Sequence, residues 1–67
     1  MIDHQIVLDR AVVLIEAAAK RGGIVRSGHI ATQLLLEYPA FQLSLTELSK
    51  TIFHLASARK LPVEFGD

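Results

Sequence analysis

Wound as an α-helix, residues 3–21 carry apolar side chains on three of their four sides. Gln5, Asp9, Glu16 and Lys20 project along one narrow stripe. Val7, Ala11, Leu14 and Ala18 lie on the opposite side. Leu8, Val12, Ile15 and Ala19 form one flank, and Ile6, Val13 and Ala17 the other. A surface helix normally shows an apolar arc of roughly 100°, and this one is much wider. A helix apolar on three sides needs cover on three sides. In a chain of 67 residues two further short helices can supply only part of it. The remainder points to a second copy of the chain or to a different protein.

The ends of this first helix are marked. Asp3 can cap the first turn with its carboxylate, and Ile2 and Val7 occupy the two positions of a hydrophobic staple. Glu16 and Lys20 are spaced as an i,i+4 ion pair. Lys20 and Arg21 suit the negative end of the helix dipole, and Gly22 is placed to end the helix in the left-handed conformation.

Two shorter helices follow. Residues 28–38 repeat Ile30, Ala31, Leu34, Leu35 and Tyr38 at helical spacing, with Ser27 as the expected N-cap and Gln33 and Glu37 turned to water. Pro39 forces the residue before it out of helical geometry. The third helix starts at Ser44, where "SLTE" is a capping box and Leu43 and Leu48 supply its staple. Leu45, Leu48, Ile52, Leu55 and Ala56 make its inward stripe. Glu47, Lys50, His54 and Ser57 make its outer face. Phe41, between these helices, is expected to plug the end of the core. Two β-branched or apolar connectors, residues 24–26 and 62–65, could pair as a minimal two-stranded ribbon, with Pro62 confining its segment to an edge. The fold class expected is therefore all-α, a single helical domain over residues 1–67 with three helices and that ribbon.

A domain this small buries only roughly 60% of its unfolded surface. With no cysteine it has no disulfide to offset the deficit, which leaves oligomerisation as the expected aid. Seven basic side chains balance seven acidic ones, so no global field draws the chain to nucleic acid or to an anionic membrane. No apolar run approaches the roughly 18 residues of a membrane span. The opening "MIDHQIVLDR" lacks the basic start of a secretory leader. A cytoplasmic location is the expectation.

Several chemistries fit the residues poorly. Gly23 and Gly28 have P-loop spacing, but His29 and Ile30 stand where Lys and Ser or Thr are required. His4, His29 and His54 lie on different elements with no metal-ligand spacing among them. A short helical chain has little room for a closed pocket, so neither an enzyme nor a cofactor is expected. In outline the second and third helices resemble a helix-turn-helix. A recognition helix offers Arg, Lys, Asn or Gln from its first turns, whereas this one offers Thr46, Glu47, Ser49 and Lys50.

The function expected is that of a small, non-enzymatic protein-interaction or regulatory module. It would self-associate through the first helix, using Ile6, Val13 and Ala17 and whatever the monomer leaves bare of Leu8, Val12 and Ile15. The alternative is a small helix-turn-helix-like DNA-binding regulator. It would contact phosphate, or another anion, through Lys20, Arg21, Arg26, Lys50, Arg59 and Lys60.

Overall fold

A computed structural model describes residues 4–65. Three helices follow in order, α1 (His4–Gly22), α2 (Ser27–Glu37) and α3 (Leu45–Ala58). Strand β1 (Val25–Arg26) lies between the first two, and β2 (Val63–Glu64) follows the third. The proposed Asp3 cap and the Ile2 half of the staple lie outside the described residues.

The core is aliphatic. Val7, Ala11 and Ile15 from α1 meet Ile30, Ala31 and Leu34 from α2, and Leu48, Ile52 and Ala56 from α3, with Val25 beneath them. The most extensive helix contact is between α2 and α3, and α1 lies across both. Leu35, Tyr38, Phe41, Leu43, Leu55, Leu61 and Val63 close the periphery. Phe41 does plug one end, with its ring centroid 5.3 Å from that of His4.

The ribbon exists, shorter than its expected span, and it is parallel. Val25 stands opposite Val63 and Arg26 opposite Glu64. Val25 N–H donates to the Pro62 carbonyl at 2.8 Å, so the proline takes part through the one backbone group it retains. The arrangement repeats a motif: each strand comes shortly after a helix that ends in a left-handed residue. At the end of α1 that residue is Gly23, φ 81°, whose N–H donates to Ala19 O at 3.1 Å. Gly22, expected in this role, is the last helical residue instead. At the end of α3 it is Lys60, φ 59°. There Leu61 N–H reaches back to Ala56 O and Lys60 N–H to Ser57 O, the paired bonds of a Schellman turn. A lysine in this conformation brings its Cβ close to the carbonyl that follows, a clash glycine avoids.

Two local expectations need correction. Ser27 does not cap α2. It is the first helical residue, wholly buried, and its hydroxyl donates to the Glu64 carbonyl at 2.8 Å. The hydroxyl fastens α2 to β2, because the ribbon lies within its reach on the buried side. Ser49, read as an outward residue of α3, is 5% exposed and belongs to the inward face, while Leu45 at the first turn is 46% exposed. The Ser44 cap is present: Glu47 N–H donates to Ser44 Oγ at 3.1 Å. Its return bond differs, since the Glu47 carboxylate accepts from the Ser44 hydroxyl rather than from the backbone N–H.

Candidate interaction surface

With 3.6 residues per turn, Val13 lies about 160° around α1 from the centre of the buried Val7–Ala11–Ile15 stripe. It faces away from the core and is 52% exposed. Ile6, two turns earlier on the same side, is exposed to the same extent. Ala17, half-buried, continues the line. These three form one outer aliphatic stripe. The other three residues expected at an interface are placed differently. Leu8 and Val12 are half-buried on the opposite flank of the helix. Ile15 is 0% exposed, so the monomer leaves none of it bare, and it leaves the set. Its position, two turns beyond Val7 on the same line, puts it under α2 and α3.

Charged side chains fence the outer stripe. On one edge Arg10 forms a two-pronged pair with Glu37 of α2, Nε to Oε1 at 2.9 Å and Nη2 to Oε2 at 3.1 Å. Gln33 Nε2 adds a bond to the same carboxylate at 3.1 Å. The Arg10 hydrogen bond, reinforced by that from Gln33, holds the Glu37 carboxyl below its ordinary value. On the other edge stand Asp9, Glu16 and Lys20. Glu16 Oε2 accepts from Arg59 Nη1 at 3.1 Å, so its partner comes from the end of α3 rather than from Lys20 one turn away. Asp9 accepts from Gln5 at 2.8 Å.

The six basic residues are not one patch. Lys20 and Arg59 share a shallow cleft of about 340 Å³ where the ends of α1 and α3 converge, with Glu16, Ala19 and Leu61 as the rest of its lining. Glu16 answers the charge of Arg59 there. Arg21 and Lys60 are exposed at the same two helix ends. Arg26 is exposed on β1, across from the acidic Glu64. Lys50 stands on α3 roughly 13 Å along the helix from Arg59. At the start of α3, Glu47 is engaged with Ser44 and Ser49 is buried, which leaves Thr46 and Lys50 to reach outward from the first two turns.

The histidines serve as ring partners or face solvent. His4 meets Phe41, His54 lies edge-on to Phe53, and His29 is exposed. Among the described residues no helix is long and apolar enough to cross a membrane. Comparison with protein-family models, curated proteins and solved structures finds no match for this chain.

Proposed function

We propose that the chain is a small, non-enzymatic, regulatory interaction module that self-associates through the outer stripe of α1, and that it works in the cytoplasm. The observation behind this reading is the exposure of Ile6 and Val13 on the side of α1 turned away from the core. Isolated exposed apolar residues are ordinary. Two large ones aligned with Ala17 on a helix whose opposite face already carries the buried Val7, Ala11 and Ile15 make a surface that gains from cover. A second copy is the simplest cover. Zero net charge removes long-range repulsion between copies, and two-fold pairing is the commonest form of self-association. Pairing would also add stability by mass action to a domain too small to bury much on its own.

One helix per protomer buries less than the roughly 1,600 Å² of a standard interface, so the expected affinity is micromolar or weaker. Sedimentation equilibrium from about 1 μM to about 1 mM, in low and moderate salt, covers that range. A reversible dimer that salt weakens only modestly supports the reading. A monomer mass throughout overturns it. Binding to duplex DNA that falls steeply with salt would favour the DNA-binding alternative.

A further inference from the structure

We infer that two copies pair through α1 in antiparallel order, about a two-fold axis that passes between Val13 and Ala17, with each Asp9 facing the partner's Lys20. The inference rests on the self-association proposed above and fixes its geometry. Three observations on α1 lead to it.

The first is which charges remain available. Arg10 is paired with Glu37 and Glu16 with Arg59, whereas among the described residues Asp9, which accepts a hydrogen bond from Gln5, and Lys20 enter no ion pair. The second is where these two lie. Both are exposed, within about 20° of one another around the helix, on the same edge of the outer stripe, and roughly 16 Å apart along it. The third is the size pattern of the stripe, in which a large residue, Val13, is followed one turn later by a small one, Ala17.

Two helices facing each other in antiparallel order place like edges together, so the Asp9–Lys20 edge meets its own copy in reverse. With the axis between Val13 and Ala17, Asp9 comes within about one residue's rise, ~1.5 Å, of the partner's Lys20, twice per dimer, and the two Glu16 side chains, each answered by its own Arg59, meet near the axis. Each Val13 then seats over the partner's Ala17. The other edge brings Arg10 toward the partner's Arg21, and Glu37 already neutralises Arg10 there. A parallel pair would join opposite edges. It would set Lys20 beside the partner's Arg21, and it would leave Asp9 only an arginine that already has a counter-ion.

Charge reversal tests this. Asp9→Lys and Lys20→Asp are each made singly and together, and their dissociation constants are measured by sedimentation beside the wild type. Each single change replaces two attractions with two repulsions and is expected to weaken the dimer about tenfold, while the double change restores it to within about threefold. A wild-type dimer with a double variant as weak as the single ones overturns the antiparallel register and leaves self-association standing. A wild-type monomer overturns both.

Discussion

On one side of α1, Val7, Ala11 and Ile15 are closed to solvent, and on the other Ile6 and Val13 each keep 52% of their surface in it. All five are set at helical spacing in a single element, so periodicity alone makes no distinction between them. The distinction comes from what α2 and α3 can reach. Two helices of 11 and 14 residues cover one side of α1 and part of its flanks. α3 provides the contrast: Leu48, Ser49, Ile52 and Ala56 face inward, while Glu47, Lys50, His54 and Ser57 face water. A helix with one apolar side is largely satisfied within the monomer, Leu45 at the first turn of α3 being the exception. A helix with two has one left over, and that remainder is the surface proposed for assembly.

If the inner stripe builds the fold and the outer one builds the assembly, substitutions on the two sides must differ in kind. The largest effect is expected inside. Ile15→Ala leaves a cavity beneath α2 and α3 and should cost about 2–5 kcal/mol, much of what holds a domain of this size folded. Urea denaturation at low protein concentration measures it. A loss below about 1 kcal/mol would mean that Ile15 is not held in the core as described. Next in size is a change that strengthens the monomer without touching either stripe. Lys60→Gly places the preferred residue at the left-handed end of α3 and should raise stability by about 1 kcal/mol, with the dimer constant unchanged. A dimer constant that moved with it would show fold and assembly to be coupled.

The smallest effect concerns the edge of the outer stripe. The Glu37 carboxyl titrates below its ordinary value because Arg10, and then Gln33, donate to its charged form. A depressed folded value means that the pair contributes stability above the unfolded value of about 4.3. That contribution fades as pH falls through the lower folded value. Both groups are exposed, so the loss is small. Glu37→Gln should flatten this part of an acid titration and leave melting at neutral pH almost unchanged. An acid limb identical in wild type and variant would remove the pair from the stability of the α1–α2 contact.

What could be read from the sequence was local. The Ser44–Glu47 cap spans four residues, and its signal is complete within "SLTE". The inward residues of α2 follow from spacing alone. The features that went unread are those that depend on distant chain. Glu16 turns from Lys20 to Arg59, 43 residues away, and Arg10 meets Glu37 across 27. Ser27 looks like a cap until β2 is placed beside it, 37 residues on. Ile15 was one candidate among several for the outer surface, because nothing in the sequence says on which side of α1 the other helices settle. Lys60 carries no local sign of its left-handed backbone, since glycine or asparagine is the usual mark of such a position.

The separation of the two stripes is tested most directly by Val13→Lys, examined beside the wild type by sedimentation equilibrium and by thermal melting in dilute solution. The charged ammonium reaches water easily from a side chain that points away from the core, so the fold should be unaffected. The expected result is a variant that stays monomeric where the wild type is dimeric, with a dilute-solution stability within about 0.5 kcal/mol of it. A variant that still dimerises as the wild type does, or one that unfolds, would contradict the assignment of this face to assembly.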